Sequence, residues 1–139
     1  MKPSRENRRA VSVDIEIPFH DVDSIGIVWH GHMYKYLEIA RTALFRARGL
    51  DMAQFRELGY GLVLMESRCR HGSALRYGDV AKVEAWFGEL GLRIEVHYLV
   101  TNVTTGARAA RAFTAIVTTD GDGKLCFRTP EPILVALEK

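Results

Sequence analysis

The apolar residues of this chain change their spacing twice, and these changes limit the folds that the chain can adopt. From Val11 to Phe19 they alternate with polar residues, which predicts a first strand with one buried face. From Gly31 to Arg48 the spacing is helical, which predicts a helix that packs against a sheet. Gly49 then stops the helix, and residues 51–58 predict a short second helix with Asp51 as its N-cap. The helical stripe consists of Met33, Leu37, Ala40, Leu44 and Ala47, flanked by Tyr36 and Phe45.

The rest of the chain is typical of strands joined by short glycine-containing turns. Consecutive strands of this kind favour an antiparallel meander. A strand, a long helix and then an antiparallel run predict an α+β domain of about five to six strands, with the helix covering one face. The open outer edges of such a sheet favour pairing with a second copy of the chain. The predicted strands are Leu62–His71, Val80–Glu89, Leu92–Asn102, Ala107–Thr119 and a short one around 124–127, with a turn at Tyr77-Gly78-Asp79.

Length and composition exclude several classes of protein. The 139 residues fit one domain, residues 1–139, and 47% apolar with 26% charged residues is an ordinary globular composition. A net charge of +2 argues against a dedicated nucleic-acid binder. The positive excess is concentrated in residues 1–10, which we expect to form a flexible basic tail. No apolar run approaches the roughly 18 residues needed to span a bilayer, and no signal-peptide core follows the tail, so we expect a cytoplasmic protein.

The two cysteines, Cys69 and Cys126, are far apart and lack metal-binding or redox spacing. The simplest interpretation is two reduced, apolar side chains. His71 lies two residues after Cys69, on the same predicted strand face, so an activated thiol is the alternative.

The stretch His20–Arg41 contains the residues that most clearly suggest chemistry. Two carboxylates, Asp21 and Asp23, lie just upstream of a predicted helix start at His30-Gly31. Free N–H groups at a helix start can polarise a carbonyl oxygen. A nearby carboxylate can then attack the carbonyl carbon or activate water. The alternative for Asp23 is an ordinary turn-forming role, and Asp21 is interpreted as a carboxylate that shapes the loop.

The same stretch has the pattern D-x-D-x-x-G-x-V-W-H, followed on the helix by E-x-A-R. These residues are Asp21, Asp23, Gly26, Val28, Trp29 and His30, then Glu38, Ala40 and Arg41. The pattern resembles the 4-hydroxybenzoyl-CoA thioesterase-like branch of the hotdog-fold acyl-CoA thioesterases. The resemblance implies a hotdog fold, in which an antiparallel sheet wraps a long helix. It also implies that two subunits join their sheets edge to edge, with active sites at that interface.

The resemblance assigns roles to individual residues. The second aspartate of the family's pair is catalytic and corresponds to Asp23, while a backbone N–H near His30 and Gly31 holds the thioester oxygen. His30 is the second predicted catalytic residue, either orienting water or contacting the carbonyl region, with packing at the helix start as the alternative. The chain departs from the family at Met33, where an aromatic residue is usual. The predicted substrate-binding residues are Gly26, Val28, Trp29, Gly31 and Met33.

The resemblance implies no cofactor, because coenzyme A is part of the substrate, and it implies a homodimer or homotetramer. The partner is an acyl-CoA or acyl-carrier-protein thioester, whose phosphates require basic residues near the site. The cluster of His20, Asp21, Asp23, His30 and His32, followed by Glu38, suggests a metal site as an alternative. A metal is not predicted, because the helical spacing from Gly31 onward separates His32 from Glu38. Glu38 and Arg41 are interpreted as a helix ion pair. The candidate phosphate ligands are Arg68, Arg70, Arg76, Arg93, Arg108 and Arg111, each of which is otherwise an ordinary surface charge.

Two other functions remain open at this stage. A hydratase or dehydratase of the same fold would act on hydroxyacyl thioesters and could use His30. A non-catalytic protein could bind acyl thioesters without cleaving them.

Overall fold

Five antiparallel strands form one sheet, and the longest helix packs against it, in a computed structural model that describes residues 9–139. Most of the predicted flexible tail, residues 1–8, lies outside the described residues. The strands are β1 (Val11–Glu16), β2 (Gly61–His71), β3 (Val80–Phe87), β4 (Ile94–Asn102) and β5 (Arg108–Thr119). The helices are α1 (Met33–Arg46), α2 (Met52–Leu58) and α3 (Glu131–Glu138).

The strand order in the sheet is β1-β3-β4-β5-β2. The predicted meander is confirmed for β3, β4 and β5, but it is wrong for β2, which pairs with β5 from Gly61↔Thr119 to His71↔Ala110. The turn before Asp79 therefore ends a crossover rather than a hairpin. The buried Asn102 side chain holds this crossover by donating to Asp79 Oδ2 at 2.8 Å and accepting from the Thr105 N–H at 3.2 Å. This order places β1 and β2 at the two edges.

The first strand and the long helix are shorter than predicted. β1 ends at Glu16, and Phe19–Asp21 forms a 3-10 turn where an extension of the strand was expected. A second 3-10 turn, His30–His32, precedes α1. Ala47 is exposed and therefore lies outside the apolar stripe.

The short second helix is confirmed as α2. Asp51 caps it in a capping box with Gln54, and Gly59 ends it in the left-handed conformation at φ 81°.

The end of the chain differs from the prediction. The expected strand around 124–127 is reduced to a single bridge, Thr119↔Leu125, and α3 was not predicted. Proline in the first turn and apolar residues at helical spacing were the available signals for α3. Its Ile133 and Leu137 are buried in the same core as α1.

The core fills the space between α1 and the sheet. It brings Tyr36, Leu37 and Leu44 against the inward-facing residues of β3 and β4, and it also buries Met33 at the start of the helix. The start of α1 is thereby fixed relative to the sheet. Within residues 9–139, no helix combines the length and apolar character that crossing a membrane requires.

Candidate active site

The loop that carries Asp23 folds back on itself just before the helix. Val22 pairs with Val28, the Asp23 N–H donates to the Ile27 carbonyl at 2.8 Å, and the Gly26 N–H donates to the Asp23 carbonyl at 2.9 Å. Gly26 has φ +86°, a conformation that glycine adopts without strain. Gly26 therefore shapes this turn, and it is not part of the cavity wall described below.

The Asp23 carboxylate is half-buried, and its two oxygens have different surroundings. Oδ1 accepts from the Ile25 N–H at 2.9 Å and, at 3.4 Å, from the Ile27 N–H. Oδ2 accepts no hydrogen bond from residues 9–139. Asp23 thus forms the turn that the alternative interpretation expected, and it does so with one oxygen only. The second oxygen is available for chemistry.

The first backbone N–H groups of the helical segment form a second functional element. His30 and Gly31 begin the 3-10 turn that leads into α1. The first N–H groups of a helix have no partner within it, and the described residues offer the His30 and Gly31 amides no other acceptor. The next two amides are satisfied, since His32 donates to Trp29 and Met33 to His30. Two backbone donors at the positive end of a helix remain for an anionic oxygen.

A cavity of about 200 Å³ joins these two elements. Asp23, Val28, Trp29, His30 and Met33 form one side of it, and residues 71–75 with Ala109 form the other. The predicted residues Val28, Trp29 and Met33 therefore share a cavity with both predicted catalytic residues. Gly31 is needed next to it, because a Cβ at this position would lie 2.2 Å from the Trp29 ring.

Asp21 connects the loop to the helix and does not line the cavity. Its side chain is 1% exposed and accepts from Lys35 Nζ and from the Tyr36 hydroxyl, both at 2.6 Å. Its carbonyl accepts from the Trp29 N–H at 3.2 Å, immediately before the two unpaired amides. Asp21 therefore has the loop-shaping role that the sequence suggested.

The surroundings of Asp21 shift the pKa values of the groups in this network. Burial raises the pKa of Asp21, but the hydrogen bonds from Lys35 and Tyr36 outweigh it and hold the pKa below its usual value. Burial, followed by the bond to Asp21, raises the pKa of the Tyr36 hydroxyl. The network is therefore stabilised by an ionised Asp21.

This shift predicts acid-dependent stability. Since the pKa of Asp21 is lower in the folded state, its contribution is present above the unfolded pKa, about 3.9, and is lost as pH falls through the folded value. We expect Asp21→Asn to destabilise the protein by about 1–3 kcal/mol at pH 7 and by progressively less below pH 4. Urea unfolding at pH 7 and below pH 4 measures the difference in the free energy of unfolding between the variant and wild type. Asp14→Asn, at an exposed position, is the control. If the loss of stability of Asp21→Asn stayed constant down to pH 3, the stabilising role of the ionised Asp21 carboxylate would be contradicted.

His71 and Cys69 relate to the cavity differently from what the sequence suggested. His71, noted only as a neighbour of Cys69, lines the cavity, with its ring 6.2 Å from that of His30. Cys69 does not line it, and burial raises the pKa of the Cys69 thiol, which disfavours the reactive thiolate. Within residues 9–139, no three histidine, cysteine or carboxylate side chains converge to hold a metal ion.

Glu38 and Arg41 lie at a different place in the fold. They line a second cavity of about 170 Å³ between α1 and α2, together with Phe45, Phe55 and Leu62. The predicted ion pair between them is wrong: although both side chains are described, they do not form a salt bridge. Arg41 instead lies near the buried Tyr98 hydroxyl, where its positive charge lowers the pKa of Tyr98 against the larger, opposite effect of burial.

Comparisons of sequence relate this chain to known proteins. A family model described as "Thioesterase-like superfamily" matches residues 17–137. A putative esterase from Synechocystis is 29% identical over 118 residues, which cover 84% of this chain and 71% of that protein. A putative esterase from Aquifex aeolicus is 32% identical over 74 residues, which cover 53% of this chain and 58% of that protein. The matched region thus spans little more than half of the Aquifex protein.

Comparison of structures confirms the predicted hotdog fold. A mutant of 4-hydroxybenzoyl-CoA thioesterase, solved with 4-hydroxybenzoyl-CoA, superposes with a TM-score of 0.82. The match covers 93% of this chain and 99% of that chain, at 22% identity. At this level of identity the likeness establishes the shared architecture.

Proposed function

The chain belongs to the thioesterase-like superfamily, and from this membership we propose that it hydrolyses an acyl or aroyl thioester of coenzyme A or of acyl-carrier protein. The relatives named as esterases support thioester hydrolysis as its activity. One observation carries the specific proposal: a single cavity is lined both by Asp23, which has an unbonded carboxylate oxygen, and by His30, the first of the two residues whose amides are unpaired within residues 9–139.

The proposed reaction begins with the thioester carbonyl in this cavity. Its oxygen accepts hydrogen bonds from the His30 and Gly31 amides, which stabilise the negative charge that develops there. Asp23 either attacks the carbonyl carbon directly or removes a proton from the water that attacks it. The carbon–sulfur bond then breaks and the thiolate leaves. If Asp23 has attacked, water hydrolyses the resulting anhydride and releases the free acid.

The cavity walls suggest where the acyl group lies. Val28, Trp29 and Met33 are apolar and flank both catalytic elements, so we assign the acyl or aroyl group to them. The His30 imidazole lies at the same cavity, opposite His71, where it can orient water or contact the carbonyl region.

A screen for thiol release tests the proposed function. Acetyl, hexanoyl, benzoyl and 4-hydroxybenzoyl thioesters of coenzyme A and of acyl-carrier protein are supplied, and the free thiol is detected with a colorimetric reagent. The same acyl groups on N-acetylcysteamine show whether the carrier is needed. A hydratase would convert hydroxyacyl thioesters without releasing thiol. A binding protein would be stabilised against melting by the ligand, with no reaction, and either result would overturn the proposal.

We also propose that two copies pair through β2, as the open sheet edge suggests. This edge strand bonds only to β5 among the described strands and exposes Leu62 to Met65, with Met65 55% exposed. We expect sedimentation velocity to show that wild type is at least a dimer. The double variant Leu64→Lys/Met65→Lys should shift the oligomeric state toward monomer. Lys82→Ala on the inner strand β3 is the control. A wild-type monomer would contradict the pairing.

A further inference from the structure

The sheet has a second face, which points away from the core and which we call the outer face. Its residues alternate along each strand with those that pack into the core. Two rows of directly opposed residues cross it. The first row, in the strand order β1-β3-β4-β5-β2, is Ser12, Glu84, Leu99, Arg111 and Arg70. The second row, from β3 to β2, is Trp86, His97, Phe113 and Arg68.

The centre of the outer face is more apolar than a sheet surface in contact with water usually is. An antiparallel sheet with one solvated face normally has polar residues on that face. Here Leu99 and Trp86 are half-buried. Phe113 is 7% exposed, because the guanidinium carbons of Arg68 and Arg93 lie 4.7 Å and 5.8 Å from the centre of its ring. Leu99 and Trp86 therefore leave apolar surface open in the middle of the outer face.

Charge is divided between the two sides of this face. Among the described residues, the β1 and β3 side has three carboxylates and one lysine, which are Asp14, Glu16, Glu84 and Lys82. The β5 and β2 side has four arginines and one carboxylate, which are Arg68, Arg70, Arg108, Arg111 and Glu66. That one carboxylate is already paired with Arg93 at 3.1 Å. One side is therefore acidic and the other basic.

The basic side contains an uncompensated repulsion. Arg70 is directly opposite Arg111, both are exposed, and like charges in this position destabilise a sheet. Within residues 9–139, neither arginine forms a salt bridge. Neighbours along a strand point to opposite faces, so Arg70 points away from the cavity that His71 lines. These two candidate phosphate ligands therefore lie on the other side of the sheet from the candidate active site.

We propose that the outer face binds the outer face of a second copy of the chain, about a two-fold axis parallel to the strands. In a two-fold contact both copies use the same surface, which must be complementary to itself. This axis reverses the strand order between the facing sheets, so the acidic side of each copy lies over the basic side of the other. Glu84 of one copy then lies opposite Arg111 of the other, and the two Leu99 side chains meet near the axis.

The dimensions and the charge pattern both favour a second copy as the occupant. Facing sheets pack about 10 Å apart, a distance that a glutamate and an arginine side chain can span together. A polyanion such as a nucleic acid would match only the basic side and would be repelled by the acidic one. The contact uses the face of the sheet, whereas the proposed pairing through β2 uses its edge. Both contacts can therefore exist in one assembly, which would be a tetramer.

An exchange of charges between the two sides tests the proposal. Arg111→Glu and Glu84→Arg each place like charges opposite each other twice in every contact. We expect each variant to weaken the association of the faces by about a hundredfold or more. The combined variant Arg111→Glu/Glu84→Arg restores opposite charges and should associate within about tenfold of wild type. Arg56→Glu, the same change at an exposed position of α2, is the matched control and should have no effect.

Sedimentation velocity over a range of protein concentrations measures the association. Each change is introduced into the Leu64→Lys/Met65→Lys variant, so that only the contact between the faces remains. Circular dichroism verifies the fold of every variant. Within one copy, Arg111→Glu replaces the like-charge pair with Arg70 by a pair of opposite charges, so the subunit itself should not be destabilised. A loss of association by this variant thus reports on the contact between copies.

The outcomes separate this contact from pairing through β2. If the Leu64→Lys/Met65→Lys variant is a dimer that Arg111→Glu converts to monomer, the outer face holds that dimer. If the Leu64→Lys/Met65→Lys variant is already monomeric, or if its dimer is unaffected by Arg111→Glu, the inference is overturned and pairing through β2 still stands. If the combined variant associates no better than the single variants, Glu84 does not lie opposite Arg111, and the proposed two-fold arrangement is wrong.

Discussion

Asp23→Asn is expected to fold normally and to lose about 10²- to 10⁴-fold in kcat on every thioester that wild type cleaves. Asn retains an Oδ1 atom that can accept from the Ile25 N–H, so the turn that Asp23 forms should persist. It loses the second carboxylate oxygen, the one without a hydrogen bond, and with it the capacity to attack carbon or to accept a proton from water. Steady-state thiol release, with circular dichroism to verify the fold, measures the effect.

The control for this variant is Ser24→Ala, next to Asp23 in the same loop but exposed and outside the cavity wall. It should retain wild-type kcat. A single turnover in ¹⁸O-labelled water also distinguishes the two roles of Asp23. If Asp23 attacks directly and water then opens the anhydride at Cγ of Asp23, an unlabelled Asp23 oxygen enters the first product, whereas general-base catalysis places the label there at once. An Asp23→Asn protein that folds and keeps full turnover would remove Asp23 from the mechanism.

The part of the site that could be predicted lies within one continuous segment. Asp23 and His30 are seven residues apart, and the turn, Gly26 and the helix start between them have local sequence signals. A residue pattern over such a segment reflects its local geometry, since few long-range contacts decide it. The long helix and its packing against a sheet could be predicted for the same reason, from the spacing of the apolar residues alone.

The parts that were missed depend on which strands become neighbours. His71 reaches the cavity, and Arg70 meets Arg111, only because β2 pairs with β5 rather than with β3. Hydrophobic spacing specifies the face of each strand but not its partner, and a turn signal such as Tyr77-Gly78-Asp79 is compatible with a hairpin or a crossover. The helix α1 starts at Met33, later than predicted, because residues 30–32 form a 3-10 turn before it.

The second large effect concerns the backbone donors, and His30→Pro isolates one of them. Proline has no N–H, and the first position of a helical segment accepts it. Trp29 already has the extended conformation that a residue before proline prefers. The His30 N–H makes no hydrogen bond within residues 9–139, so its removal breaks none of the bonds that hold this fold. We expect His30→Pro to remain folded and to lose about a hundredfold or more in kcat, roughly 3 kcal/mol of transition-state stabilisation.

His30→Ala is the matched control, because it removes the same imidazole and keeps the backbone N–H. If the amide holds the thioester oxygen, His30→Ala retains most of the activity that His30→Pro loses, and both variants melt close to wild type. If the two variants are equally impaired, the imidazole is the functional group, and His30 acts through its side chain by orienting water. If both retain full kcat, the thioester oxygen is held elsewhere, and the assignment of the helix start as its binding site is wrong.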